Sequence, residues 1–272
     1  MSDERSAGAG WAVITGASSG LGAIFAEQLA KRGLPLMLAG RDEPRLSAVR
    51  QQVRAIAPGI DVDLVVGDLG TQAGLDALVQ HLGGCTIDVL VNNAGFGTYG
   101  PLSDADGERE HDMVAVNVAA LVRLSHAVVP GMLARGTGGI LNVASTIAFQ
   151  PAPYQATYGA SKAFVLSFSQ ALWAETRGSG VTVTALCPGP TRTGFVDALG
   201  SDVSHTAVYR HLAAPEPVVA AGLRALDRGR PVTIPGLRMR IMAIGGRLLP
   251  GWVTTRLSER MLRPTKASVA IR

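Results

Sequence analysis

The stretch Thr15–Gly22, TGASSGLG, decides the fold. It follows the apolar run Trp11–Thr15, which is typical of a buried strand, and it precedes a helical pattern that begins near Leu21. Glycines in such a turn let backbone amides approach a pyrophosphate, and the N-terminus of the next helix adds a partial positive charge. A strand, a glycine-rich turn and a helix in this order indicate the first crossover of a dinucleotide-binding fold. A purely structural turn is the alternative.

The same alternation of short apolar runs and longer helical patterns continues along the chain. The predicted strands are 11–15, 34–39, 62–66, 87–91, 139–144, 181–186 and 232–234. The predicted helices are 21–32, 43–57, 71–82, 109–135, 155–177 and 217–228. Strands that are apolar on both faces indicate a parallel sheet covered on both sides. We therefore predict an α/β fold, a single doubly wound Rossmann-type domain with a parallel sheet of about seven strands and helices on both faces.

This fold sets the expected organisation of the chain. Residues 1–10 are expected to be a disordered N-terminus, 11–235 the catalytic domain with a substrate loop at 190–215, and 236–272 a basic amphipathic extension. The N-terminus lacks the apolar segment of a secretory signal, and we find no apolar run of about 18 residues. We therefore expect a cytoplasmic protein without a spanning helix.

The positive charge is concentrated near the C-terminus. From Arg224 onward, eleven basic and two acidic side chains give +9, which leaves −5 for the preceding residues. The simplest interpretation is a solvated surface, so we predict no nucleic-acid partner. Apolar clusters between the arginines of 237–264 favour a helix packed on a dimer partner, with a peripheral membrane or carrier contact as the alternative. Cys85 and Cys187 provide no disulfide framework, and no Cys/His cluster has metal-ligand spacing, so no metal is predicted.

Further motifs follow the glycine-rich turn in a fixed order. They are Gly67-Asp68-Leu69, Asn92-Asn93-Ala94-Gly95, Asn117, Ser145, Tyr158-Gly-Ala-Ser-Lys162 and Pro188-Gly-Pro-Thr-Arg-Thr193. With the Thr-Gly-x-x-x-Gly-x-Gly turn, they resemble the short-chain dehydrogenase/reductase family over roughly residues 10–195.

The resemblance implies a nicotinamide cofactor. Its implied contacts are Gly16, Ser18, Ser19, Gly20, Leu21, Gly22, Asp68, Leu69, Asn92, Ala94, Gly95, Tyr158, Lys162, Pro188, Gly189, Thr191 and Thr193. Arg41 takes the first discriminating position after the second strand, where a cation suits the 2′-phosphate of NADP and an acid suits the ribose of NAD. We therefore predict NADP. Because Asp42 is adjacent, NAD remains the alternative, as does a plain surface charge at Arg41.

Tyr158 and Lys162 lie four residues apart on a predicted helix, hence on one face. A free tyrosine has a pKa near 10, too high for a base at neutral pH. A nearby ammonium and a positive nicotinamide ring would stabilise the tyrosinate and lower the pKa of Tyr158. The pair therefore forms a candidate general acid/base, in which Lys162 also binds the nicotinamide ribose.

Two polar residues complete the candidate catalytic set. Ser145 ends the fifth strand, where its hydroxyl can hold the substrate oxygen as charge develops there. Asn117 lies in an apolar part of the long helix, where a buried amide needs a partner. The resemblance implies that Asn117 anchors a water that relays protons from Lys162 to solvent. A helix-bending role is the alternative.

These residues predict an NADP(H)-dependent oxidoreductase that interconverts a carbonyl and a secondary alcohol on a hydrophobic small molecule. The expected pocket residues are Phe96, Ser145, Ile147, Phe149, Tyr154 and Phe195. The alternatives are a non-catalytic dinucleotide sensor and a membrane- or carrier-docked acyl-chain reductase. The family resemblance also implies a homo-oligomer that packs through the helices at 109–135 and 155–177.

Overall fold

The computed structural model describes residues 10–195, 199, 203, 206, 209 and 212–264, without the side chain of Arg247. Of the expected disordered N-terminus, residues 1–9 lie outside this range, while the Gly10 amide donates to Asp88 Oδ2 at 2.7 Å. The expected substrate loop is described only in part. Residues 265–272 of the C-terminal extension also lie outside the described residues.

One parallel sheet forms the centre of the molecule. Its seven strands have the order β3-β2-β1-β4-β5-β6-β7. They are β1 Trp11–Thr15, β2 Leu36–Gly40, β3 Val62–Val66, β4 Ile87–Asn92, β5 Gly138–Val143, β6 Val181–Leu186 and β7 Val232–Thr233. The strand order reverses between β1 and β4, and open α/β sheets bind ligands at the carboxyl ends of the strands at such a point. The predicted doubly wound fold is confirmed.

Helices cover both faces of the sheet. α1, α2 and α7 pack on one face, and α3, α5 and α6 pack on the other. Their bounds are α1 Gly20–Ala30, α2 Glu43–Ile56, α3 Gln72–Gly83, α4 Gly107–Val114, α5 Leu121–Arg135, α6 Ala156–Glu175, α7 Pro215–Asp227, α8 Leu237–Leu248 and α9 Gly251–Leu262. Through α7 and β7, the predicted bounds differ from these by at most two residues.

The apolar strands follow from this two-sided cover. Successive residues of a strand point to opposite faces of the sheet. Ile14 therefore enters the layer beneath α1 and α2, while Val13 enters the layer beneath α3 and α5. Both side chains are fully buried, so neither face of β1 can be polar.

The helix between β4 and β5 contains an irregularity that the sequence did not predict. A π-helical segment, Ala115–Ala120, joins α4 to α5 and contains Asn117. Such segments concentrate at functional sites. The continuous helix Gly107–Arg135 is long and apolar enough to cross a membrane by length and composition alone, although we expected no such segment. Its residues Leu124, Val128 and Met132 are buried in the sheet layer, which requires the same composition.

The turn between β1 and α1 packs so closely on the start of α1 that Gly16 in the turn and Gly22 in the helix must be glycine. Gly16 has φ +63°, a left-handed conformation that residues with a Cβ adopt at a cost. A Cβ on Gly22 would lie 2.2 Å from the Gly16 carbonyl oxygen and 2.8 Å from Asn93 Nδ2. The backbone of the turn therefore touches the backbone of its own helix.

This packing predicts that Gly22→Ala lowers the free energy of unfolding by about 1–3 kcal/mol, because the backbone must shift to admit the methyl group. Gly83→Ala in α3 is the matched control, since a Cβ there meets nothing within 4 Å. The control variant should be neutral or more stable by about 0.4–1 kcal/mol. Urea unfolding measures both, and equal effects at the two positions would contradict the packing.

Candidate active site

A cleft of about 1210 Å³ opens at the carboxyl edge of the sheet, where the strand order reverses. It runs from the glycine-rich turn after β1 to the C-terminal helices α8 and α9. The predicted residues that line it are Gly16, Ser18, Ser19, Gly20, Leu21, Arg41, Asp68, Leu69, Ala94, Gly95, Phe96, Ser145, Ile147, Tyr158, Lys162, Pro188, Gly189, Thr191, Thr193 and Phe195.

The N-terminus of α1 forms one end of the cleft. Ser19 is the N-cap residue, and its side chain makes no capping hydrogen bond. The backbone N–H groups of a first helical turn have no partner within the helix. These amides, with the Ser18 and Ser19 hydroxyls, fit a phosphate group.

Thr15 and Asn93 join the end of β1 to the end of β4. Thr15 Oγ1 accepts hydrogen bonds from the backbone amides of Asn93 and Ala94, both at 3.0 Å. The Asn93 side chain donates to the carbonyl oxygens of Thr15 at 2.9 Å and Gly16 at 3.1 Å. The glycine-rich turn is therefore anchored to the strand end that leads into the middle of the cleft.

Arg41 and Arg45 carry positive charge into the cleft beyond β2. Arg41 Nη1 lies 3.3 Å from Asp68 Oδ2 in an exposed ion pair. Asp42, the adjacent acid, caps α2 by accepting from the Arg45 amide at 3.0 Å, and it also pairs with Arg45 Nε at 3.3 Å. The carboxylate of Asp42 is therefore engaged by α2, while the Arg41 guanidinium lies over the cleft.

The candidate reaction centre combines α6 with the end of β5. Tyr158 and Lys162 are buried on one face of α6, and Lys162 Nζ lies 5.8 Å from the centroid of the Tyr158 ring. Lys162 Nζ donates to the carbonyl oxygen of Val143 at 2.9 Å. Ser145 follows two residues later and shares a hydrogen bond with the Tyr158 hydroxyl. An ammonium has three donors, so Lys162 can bind Val143 and a ligand together.

Burial shifts both titratable groups towards their neutral forms. Burial raises the pKa of Tyr158 above its ordinary value, Tyr209 raises it further, and the hydrogen bond with Ser145 opposes them. The expected lowering of the Tyr158 pKa by Lys162 is therefore absent in the protein alone, where loss of hydration has the largest effect on this pKa. Burial lowers the pKa of Lys162 to about 8.

Asn117 lies beside this centre, in the π-helical segment. Its side chain accepts from the Phe96 amide at 3.1 Å, and it donates to the Phe96 carbonyl at 2.9 Å and to Ser161 Oγ at 3.0 Å. Asn117 Oδ1 and Lys162 Nζ lie against the same side of Gly95. The amide thus ties the chain after β4 to α6.

The segment after β6 covers the centre. Thr191 is buried and donates to the Gly189 carbonyl at 2.9 Å, and Thr193 lies against Gly20. The Phe195 ring packs on Tyr158 with 5.3 Å between centroids. This segment therefore spans from the glycine-rich turn to the reaction centre.

Five predicted site residues do not line the cleft, each for a packing reason. One is Asn117, whose amide is held by Phe96 and Ser161 as described above. Gly22 lies behind the turn, against Gly16. Asn92 points into the interior, where it donates to Asn142 Oδ1 at 2.8 Å and Ser125 Oγ at 3.1 Å. The other two pack elsewhere: Phe149 joins the apolar cluster around α6, and Tyr154 joins the cluster around Tyr99.

Sequence reasoning also missed residues that line the cleft. The most extensive omission is the inner side of α8 and α9 and the turn between them, with Met239, Met242, Ala243, Leu249, Leu257 and Met261. Asn93, Arg45, Gln155 and Tyr209 also line it. Asn93 could have been found, since it follows directly on a strand end at the binding edge. The position of α8 and α9 had no comparable signal.

Comparisons with known proteins agree with this geometry. A family model described as short chain dehydrogenase matches residues 10–204. The chain is 34% identical over 237 residues to the very-long-chain 3-oxoacyl-CoA reductase of Mycosarcoma maydis, which covers 83% of this chain. The chain spans 65% of the length of that relative.

Two solved structures match nearly the whole chain. A short-chain dehydrogenase from Sphingobium yanoikuyae in complex with NADPH is 34% identical, with TM-score 0.80 over 97% of this chain and 99% of that chain. The bulky-bulky ketone specific alcohol dehydrogenase from Comamonas testosteroni is 30% identical, with TM-score 0.75 over the same shares of the two chains.

The lowered pKa of Lys162 predicts a pH-dependent stability. Between pH 8 and the ordinary pKa of lysine, the unfolded chain binds more protons than the folded chain. Burial of the Lys162 ammonium therefore lowers the free energy of unfolding by its full amount below pH 8, and by less as the pH rises above 8. Lys162→Met removes this penalty and should raise the free energy of unfolding by about 1–3 kcal/mol at pH 7. Urea unfolding without nucleotide should show this gain shrinking between pH 8 and pH 10, whereas a gain independent of pH would contradict the burial penalty.

Proposed function

The chain belongs to the short-chain dehydrogenase/reductase family of oxidoreductases, and from this membership we propose that it interconverts a carbonyl and a secondary alcohol on a bulky apolar molecule, using NADP(H). The observation that carries the proposal is the convergence of Tyr158, Ser145 and Lys162 in one cleft with an anion-binding helix N-terminus. A proton-transfer group, a site for an oxygen and a dinucleotide cradle then share one cavity.

Each residue of the centre has a distinct part in the proposed reaction. When bound, the nicotinamide nucleotide supplies the hydride for reduction of the carbonyl carbon or accepts it in oxidation. Tyr158 donates its hydroxyl proton to the substrate oxygen during reduction and takes it back in oxidation. Ser145 holds the same oxygen by a hydrogen bond while negative charge develops there.

The protonation states suit carbonyl reduction near neutral pH. Burial raises the pKa of Tyr158, so the phenol keeps the proton that it must donate. With a pKa of about 8, Lys162 is largely an ammonium at pH 7, and its charge stabilises the phenolate left after transfer. Because this pKa is also near neutrality, Lys162 can return a proton to Tyr158. Asn117 acts as a positioning residue that keeps the chain after β4 against α6. In this position it would also anchor the water that relays protons from Lys162 to solvent.

The preference for NADP(H) rests on the charges beyond β2. Arg41 and Arg45 line that part of the cleft, and a guanidinium binds a phosphate by two parallel hydrogen bonds. Asp42 caps α2 instead of extending free towards a ribose. The similar Sphingobium yanoikuyae structure contains NADPH, which supports the same cofactor here.

The proposed substrate class follows from the opposite end of the cleft. Phe96, Ile147 and Phe195 lie near the centre, and methionine and leucine side chains of α8 and α9 form the far wall. Such a lining favours a large apolar ketone over a small polar one. The names of two similar proteins, a very-long-chain 3-oxoacyl-CoA reductase and a bulky-bulky ketone specific alcohol dehydrogenase, support this class.

Tyr158→Phe should lower kcat for ketone reduction about 10²–10⁴-fold, because it removes the hydroxyl group that carries the transferable proton. NADPH binding, followed by nicotinamide fluorescence, should persist. Tyr154→Phe is the matched control and should keep full activity, since Tyr154 does not line the cleft. A Tyr158→Phe variant with wild-type turnover would remove Tyr158 from the reaction.

Arg41→Ala should raise the Kd for NADPH about 10–100-fold, because a charge-assisted contact to the 2′-phosphate is lost. The Kd for NADH should remain about unchanged. Arg54→Ala, an exposed cation on α2 away from the cleft, controls for general charge. Fluorescence titration with both nucleotides measures these constants, and equal weakening for NADPH and NADH would contradict the proposed role of Arg41.

A further inference from the structure

The outer side of α8 is an apolar stripe exposed to solvent. Leu237, Ile241, Ile244 and Leu248 recur at helical spacing and are 74%, 63%, 47% and 82% exposed. The opposite side of the helix carries the buried Ala243 and packs on the cleft. Eight of the fourteen exposed large apolar side chains among the described residues lie between 237 and 257. An exposed patch of this kind marks an interaction surface.

The outer side of α9 adds an aromatic ring and positive charge. Trp252, Arg256 and Arg260 are exposed on it, and the Arg256 guanidinium lies 5.5 Å from the Trp252 ring centroid. Arg238 and Arg240 are exposed beside the apolar stripe of α8. The single acid between Leu237 and Leu262 is Glu259, which is paired with Arg263.

The mouth of the cleft opens onto this same surface. Met242, Leu248, Leu249 and Leu257 line the cleft and are also exposed. An apolar molecule lying on the outside of α8 would therefore meet continuous apolar side chains from the surface to the interior.

We propose that the outer sides of α8 and α9 dock on an anionic lipid bilayer, so that apolar substrate enters the cleft from the lipid. Aliphatic side chains enter the boundary between headgroups and acyl chains, and arginines bind the anionic headgroups. Trp252 has the amphipathic ring that favours the membrane interface. The route of substrate entry rests on the proposed function, whereas the docking itself does not.

A second copy of the chain fits this surface less well, although the sequence alone favoured self-association. A two-fold interface sets the same patch against itself. Arg238, Arg240, Arg256 and Arg260 would then face a partner surface with the same excess of positive charge. Such an interface would also cover the apolar mouth of the cleft.

The test is co-sedimentation of the full chain with vesicles of phosphatidylcholine alone and of phosphatidylcholine mixed with phosphatidylglycerol. We expect binding to the anionic vesicles to be at least about tenfold tighter. Ile241→Glu/Ile244→Glu should weaken it at least about tenfold, because two aliphatic anchors become anions. The matched control is Ile56→Glu/Leu102→Glu, which places two negative charges at exposed apolar positions outside α8 and α9. Its affinity for anionic vesicles should fall far less than that of Ile241→Glu/Ile244→Glu.

Three further measurements separate the outcomes. Each variant is shown to be folded if it still binds NADPH, followed by nicotinamide fluorescence, and if its Tm equals that of the wild-type protein. Arg256→Gln/Arg260→Gln should lower the preference for anionic over neutral vesicles. If the wild-type protein binds neither kind of vesicle, the proposal is overturned. It is also overturned if the wild-type protein is a dimer that does not bind vesicles and Ile241→Glu/Ile244→Glu converts this dimer to a monomer. If the wild-type protein binds anionic vesicles but does not bind NADPH, the docking proposal stands and the proposed function is contradicted.

Discussion

The hydrogen bonds between the ends of β1 and β4 hold the two halves of the site in register. Thr15 Oγ1 accepts from the amides of Asn93 and Ala94, and the Asn93 side chain donates to the carbonyl oxygens of Thr15 and Gly16. Beyond this point, the chain after β1 turns into α1 on one face, while the chain after β4 leads to α5 on the other. Backbone contacts therefore set the separation between the proposed phosphate cradle and the proposed proton-transfer centre for a ligand that spans the cleft.

The candidate reaction centre lowers the free energy of unfolding. Burial opposes the charged forms of both Tyr158 and Lys162, and the apolar layers on the two faces of the sheet supply the stability that tolerates this cost. The same burial sets the protonation states that the proposed reaction uses. It keeps the phenol protonated and brings the pKa of the ammonium to about 8, so that one of the two groups titrates near neutral pH. The hydrogen bond from Ser145 counters part of the penalty on Tyr158.

The fold was predictable because the apolar runs and the glycine-rich turn act locally. The lining of the cleft was predictable where a residue follows a strand at the binding edge, as Ser145 does, or shares a helix face, as Tyr158 and Lys162 do. Asn92 could not be placed in this way. The last residue of a strand can point either into the cleft or into the interior, and the direction of Asn92 is set by its packing against α5. The part of the cleft wall that α8 forms could not be predicted from the sequence for another reason. Both sides of that helix are apolar, so periodicity cannot tell which side faces the cleft.

The central claim is that burial keeps the Tyr158 phenol protonated in the free protein, and that the positive nicotinamide ring would favour its ionisation. The most direct test is NMR of the protein labelled with carbon-13 at the tyrosine ring carbon that bears the hydroxyl, with Tyr158→Phe identifying the resonance. We predict that Tyr158 stays protonated up to pH 10 in the free protein. With NADP⁺, whose ring adds a positive charge, the resonance should shift towards tyrosinate below pH 10. A Tyr158 that titrates near pH 10 in the free protein, or identically with and without NADP⁺, would contradict the account.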